Sequence, residues 1–75
     1  MKILNYKVLL REEPEGGFTV FVPSLEGCIT YGETIIKAKA NATEAIELYI
    51  ESLKEDGLEI PSDENFLEYN VQINA

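Results

Sequence analysis

Short alternating runs on either side of one long helical period organise this 75-residue chain. From Ile3 to Leu10 the residues Leu4, Tyr6, Val8 and Leu10 alternate with Ile3, Asn5, Lys7 and Leu9, the period of two that predicts a strand with one face toward a core. Arg11 to Gly17 then gathers charge, Pro14 and the pair Gly16-Gly17, the composition of a hairpin connection that needs positive φ. In the second strand Phe18, Val20 and Val22 share one face and Thr19 and Phe21 the other; Pro23 closes it because proline has no N–H for a ladder. Pro23 to Gly27 make a short turn. Cys28 to Tyr31 make a third strand, bounded by Gly27 and Gly32.

The period changes after Thr34. Apolar Ile35, Ala38, Ala42, Ala45, Ile46, Tyr49, Ile50 and Leu53 recur at spacings of three and four, one face of a helix of five or six turns. Thr34 is its expected N-cap and Gly57 its C′ residue, and Pro61 bars any continuation. Ala38, Ala42 and Ala45 let the helix lie close to a sheet. Beyond the polar Ser62 to Asn65, Leu67, Tyr69, Val71 and Ile73 alternate with Glu68, Asn70 and Gln72, which predicts a fourth strand.

The order is βββαβ. If the first three strands form a meander, a right-handed crossover through the helix returns the fourth parallel to the first, and the short third strand makes the position beside strand one the better one. The expected fold is an α+β two-layer sandwich, one helix on a four-stranded mixed sheet, forming a single domain over residues 1–75. The helix covers one sheet face only. With Phe21 on the other face, and with so small a domain burying only about 60% of its unfolded surface, pairing with another chain is expected.

Charge narrows the partner. Six Lys and Arg stand against fourteen Asp and Glu, a net charge of −8, which disfavours a phosphate backbone as ligand and favours a basic protein, while also keeping the chain dispersed. With no His and one cysteine, neither a nucleophile–base pair nor a zinc site can be assembled, and Cys28 reads as a small buried residue. No phosphate-binding glycine loop is present, and no cofactor or metal is expected. A magnesium-dependent nuclease needs acids converging from strand interiors, whereas the acids here fall in loops or on the helix, with Glu68 the main exception. Glu44, Glu47, Glu51 and Glu55 form an acidic stripe, either a solvated face or a docking face. Lys37 and Lys39 near the helix start run against its dipole. There is no secretory signal pattern and no apolar run near the roughly 20 residues needed to span a bilayer, so a cytoplasmic protein without a membrane role is expected.

Phe18 to Thr34, reading Phe-Thr-Val-Phe-Val-Pro-Ser-Leu-Glu-Gly-Cys-Ile-Thr-Tyr-Gly-Glu-Thr, is followed by Ala-Thr-Glu-Ala-Ile-Glu-Leu-Tyr-Ile-Glu at 42–51 and Asp-Gly-Leu-Glu-Ile-Pro at 56–61. In order and spacing these segments resemble the HicB family of antitoxins; Ile36-Lys37-Ala38-Lys39 departs from the more acidic helix start usual there. The resemblance implies a partial ribonuclease-H-like βββαβ fold lacking the nuclease's acids. It also implies a non-enzymatic role, binding and neutralising a small basic HicA-type mRNA-cleaving toxin by steric and electrostatic occlusion. Such a toxin has a double-stranded-RNA-binding-domain fold and a catalytic histidine. Many family members add a C-terminal DNA-binding domain; the expectation here is a short form without direct nucleic-acid contact, assembled as a homodimer or homotetramer. Pro23, Glu26, Gly27, Thr30, Gly32 and Glu33 are the expected partner contacts, with Glu44, Glu47, Glu51 and Glu55 second. The alternative is an orphan ribonuclease-H-like relic with weak nuclease or RNA-binding activity that depends on Glu68.

Overall fold

The hairpin at Glu13–Gly17 sets the register of the sheet. In the computed structural model, which describes residues 3–75, the Glu13 N–H donates to the Gly17 carbonyl and the Gly16 N–H to the Glu13 carbonyl, both at 3.0 Å. Gly16 and Gly17 take φ of 103° and 80°, a region that residues with a β-carbon rarely enter. A β-carbon on Gly17 would also overlap the ring of Tyr31, whose hydroxyl donates to the Gly16 carbonyl at 3.0 Å.

Strands β1 (Leu9–Glu12), β2 (Phe18–Phe21) and β3 (Ile29–Gly32) pair antiparallel in the order β1-β2-β3. The register aligns Leu10, Val20 and Thr30 in one row and Glu12, Phe18 and Gly32 in another, on the face toward the helix. Leu9, Phe21 and Ile29, then Arg11, Thr19 and Tyr31, form the rows of the opposite face.

Helix α1 (Ile35–Glu55) begins where Thr34 Oγ1 accepts the Lys37 N–H at 3.1 Å. It ends in a Schellman turn: Gly57 at φ 67° sends its N–H to Lys54, and the Leu58 N–H reaches the Leu53 carbonyl at 2.9 Å. The helix lies chiefly over β3 and then β2. Ala38 and Ala42 meet Val20 in one buried cluster, joined by Val8, Leu10 and Phe18. A second cluster of Val22, Leu25 and Cys28 is covered by Tyr6, Ala45, Ile46 and Tyr49.

Two expectations are corrected. The first strand begins at Leu9, not Ile3, because its partner β2 runs out at Phe21 and Pro23 offers no N–H to extend the ladder. The alternation nevertheless persists, with Leu4, Tyr6 and Val8 half-buried and Ile3, Asn5 and Lys7 exposed. The fourth strand is not formed, so the sheet has three antiparallel strands and is neither four-stranded nor mixed, and no ribonuclease-H-like sheet is completed among the described residues. The reason lies just upstream. Tyr6 donates its hydroxyl to the Pro61 carbonyl, and the Asp63 carboxylate accepts from the Lys7 backbone N–H and the Ser24 hydroxyl. A 3.6 Å contact between Lys7 Nζ and Glu68 follows. The chain is thereby held at the end of the sheet where β1 begins and β2 gives way to the loop. Leu67, Tyr69, Val71 and Ile73 continue from there at 75–79% exposure, with no ladder.

Candidate partner-binding surface

The segment Val22–Cys28 is folded so that every third side chain turns inward. The Val22 N–H donates to the Cys28 carbonyl at 3.1 Å, Leu25 N–H to Val22 at 3.0 Å, and Cys28 N–H to Leu25 at 2.9 Å. Val22, Leu25 and Cys28 are buried, while Pro23, Glu26 and Gly27 are exposed at the tip. Gly27 carries the chain through φ 77°. Two distant side chains fix this backbone: Tyr49 of α1 donates its hydroxyl to the Glu26 carbonyl at 2.8 Å, and Ser24 binds Asp63. The Glu26 carboxylate therefore stands on a braced loop. Burial pushes the Cys28 thiol up from its ordinary value, so it stays protonated and poorly nucleophilic.

The other expected contacts fall in different settings. Thr30 is half-buried and lines a shallow concavity of about 270 Å³ with Asn41, Glu44, Ala45 and Leu48, which brings two of the expected residues together. Gly32 is buried, and a β-carbon there would overlap the Ala38 backbone; it admits the helix to the sheet and presents no surface to a partner. Glu33 is exposed and lies 3.7 Å from Lys37 Nζ. Glu44, Glu47, Glu51 and Glu55 are all exposed on α1. Glu47 also borders a different groove, with Leu4, Tyr6 and Val8, so the stripe flanks both sides of the helix. Glu33 and Glu55 stand at opposite ends of a helix about 30 Å long and belong to no common small site.

The open sheet face adds an apolar row that residue patterning brought out only at Phe21. Leu9 and Ile29, 51% and 59% exposed, flank Phe21 in register, and the Arg11 guanidinium sits 5.1 Å from the Phe21 ring centre. Arg11 also pairs with Glu13 at 3.0 Å, and the Thr19 hydroxyl donates to the same carboxylate. These hydrogen bonds, Thr19 first and Arg11 second, hold the Glu13 carboxyl below its ordinary range. Among the described residues no three His, Cys, Asp or Glu side chains converge as metal ligands. No helix among them is long and apolar enough to cross a membrane.

A braced Val-Pro-Ser-Leu-Glu-Gly-Cys loop, with the Thr34-capped helix behind it, is the centre of the arrangement this sequence encodes. The family model described as the HicB-like antitoxin of bacterial toxin–antitoxin systems matches residues 6–74. The chain belongs to the HicB-like antitoxin family. Similar proteins include a UPF0150 protein of Synechocystis, 48% identical over 63 residues that cover 84% of this chain and 80% of the relative. A UPF0150 protein of Thermoplasma acidophilum is 43% identical, covering 80% and 87% respectively. One from Helicobacter pylori is 39% identical, covering 83% and 86%. Membership in the HicB-like family supports an antitoxin role, implies a toxin as partner in general and suggests a non-catalytic one for this chain.

Proposed function

We propose that this HicB-like chain captures a small basic HicA-type mRNA-cleaving toxin and neutralises it by covering its RNA-binding surface, sterically and electrostatically. The observation that carries the reading is the braced tip Pro23–Gly27, presenting Glu26 beside an exposed acidic helix face on a chain of net charge −8. A rigid loop loses little conformational freedom on docking. Glu26, Glu44, Glu47 and Glu51 supply the field that steers a cationic partner into contact. Pro23, Gly27, Thr30 and Glu33 complete the contact set, and Glu55 extends the acidic face at the far end of α1. The complex acts in the cytoplasm, where the mRNA substrate of such a toxin is found.

The test is co-purification with the product of an adjacent small basic gene, together with rescue of growth when the two are co-expressed. Triple reversal Glu44→Lys/Glu47→Lys/Glu51→Lys should slow association on the order of tenfold at low salt and flatten its salt dependence, since exposed charges act within a Debye length of about 10 Å. Absence of binding together with undiminished toxicity overturns the proposal.

A further inference from the structure

We infer that the notch between the braced loop tip and the open sheet face is an arginine socket. It takes one arginine side chain of a basic protein partner, with the guanidinium on the Glu26 carboxylate and the methylene stem against Phe21, Pro23 and Ile29. The socket belongs to the toxin-capture surface proposed above and rests on that reading for the partner's identity alone. The notch holds about 180 Å³ and is lined by Phe21, Pro23, Glu26, Gly27 and Ile29. Two elements supply its apolar side: Phe21 and Ile29 are register partners on the open sheet face, and Pro23 stands in the loop that follows β2. A β-carbon at Gly27 would meet nothing within 4 Å, so the notch is unobstructed there.

The rim selects a cation. Among the described residues, ion pairs join Lys7 to Glu68, Arg11 to Glu13 and Lys37 to Glu33, and Glu26 is in none of them. Arg11 lies over the Phe21 ring at 5.1 Å, but its charge is committed to Glu13 at 3.0 Å. An exposed carboxylate beside apolar side chains suits a long side chain that buries its methylenes and keeps its charged head at the rim. Arginine fits better than lysine. Its guanidinium is weakly hydrated and forks onto a carboxylate through two parallel N–H bonds, whereas an ammonium is a strongly hydrated point charge.

Glu26 also differs from the helix acids in its setting. The Tyr49 hydroxyl donates to its carbonyl at 2.8 Å, and the bonds Val22–Cys28 and Cys28–Leu25 close the loop around it. A carboxylate on so fixed a backbone loses less freedom on pairing. Phe21 and Ile29 belong at the same time to the row they form with Leu9, so the notch opens onto an apolar strip. A partner anchored there is laid across that strip with the acid at its edge, an apolar centre with a polar rim, in which arginine is a favoured anchor. The net charge of −8 draws a basic chain to it.

The experiment titrates the full ¹⁵N-labelled chain, at about 150 mM salt, with tetra-arginine and with tetra-lysine peptides of equal charge. The variants Glu26→Gln, Ile29→Ala and Glu47→Gln are titrated beside wild type. Wild type should bind the arginine peptide several-fold more tightly, with the largest amide shifts at Phe21, Glu26, Gly27 and Ile29. Glu26→Gln should weaken it about fivefold and Glu47→Gln less than about twofold. Ile29→Ala, at an exposed site, should fold as wild type does and weaken binding about threefold. Equal affinity for the two peptides, equal losses at Glu26 and Glu47, or shifts centred on α1 would each overturn the socket. On a captured toxin, Glu26→Gln should raise the dissociation rate on the order of tenfold and leave association within about twofold, the opposite of the stripe reversal; an unchanged dissociation rate overturns the socket. Failure of wild type to capture a toxin, with the arginine preference at Glu26 intact, overturns toxin capture and supports the socket.

Discussion

The loop Val22–Cys28 and the tail Phe66–Ala75 both carry apolar residues at regular spacing, and they meet opposite fates. In the loop the spacing is three, and the backbone closes on itself through the bonds Val22–Cys28, Leu25–Val22 and Cys28–Leu25. Its apolar side chains need only the cover that Tyr49, Ala45 and Ile46 supply. In the tail the spacing is two, and an extended segment cannot pair its N–H and C=O groups with one another, so they turn to a neighbouring strand or, where exposed as here, to water. Apolar period therefore tells which side of a segment seeks burial, whereas only a turn or helix brings its own hydrogen-bond partners along. The loop closes on itself; the tail is left exposed, outside the three-stranded sheet.

The sharpest break of that contrast is at Gly32, on which both the helix and the loop beneath it depend. Gly32→Val drives a branched side chain into the Ala38 backbone, and the expected cost is on the order of 3 kcal/mol or more, enough to unfold a domain this small, read as loss of the cooperative melt by circular dichroism. Next comes a matched pair measured by urea unfolding at high dilution. Leu25→Ala, at a fully buried site, should cost about 3 kcal/mol, while Leu67→Ala on the exposed tail should cost less than about 0.5 kcal/mol; equal costs would erase the distinction between the two regions. The smallest effect is at Glu13, whose turn is self-closing like the loop. Its carboxyl titrates below the ordinary value near 4.5 in the folded state. The stability it contributes is present above that value and lost as pH falls through the lower, folded one. Glu13→Gln should therefore show a small deficit at pH 7 that closes in acid, followed by thermal melts across pH; a deficit that persists unchanged in acid would assign the effect to packing instead.

What was legible in the sequence was what is decided locally. Thr34 and Gly57 bound the helix where expected because capping involves residues only a few positions apart. Gly16 and Gly17 mark a hairpin whose geometry requires positive φ. The turn at Pro23 to Gly27 and the burial of Cys28 were readable too, but Val22 and Cys28, expected in the flanking strands, belong to the loop, and the inward turn of Leu25 was not read. Illegible were the features set by register or by distance along the chain. The row Leu9, Phe21 and Ile29 exists only once the strands are aligned. Gly32 resembles the exposed Gly27 in sequence, and only the docked helix makes it a packing residue. Asp63, in an unremarkable polar turn, binds Lys7 and Ser24 across the chain. No local signal announces such a partner, and without it the fate of the fourth alternating segment cannot be read.

The Asp63 clasp also orders events in time. The hairpins and the helix join residues close in sequence, whereas the clasp joins residues 56 and 39 positions apart and Tyr6–Pro61 spans 55. Closing a longer loop costs more chain entropy, and contacts of high sequence separation form late. The body of the domain is thus assembled while the last fifteen residues are still unattached. In that interval the segment beyond Pro61 moves free of the Tyr6 and Asp63 contacts that later fix its base to the sheet end.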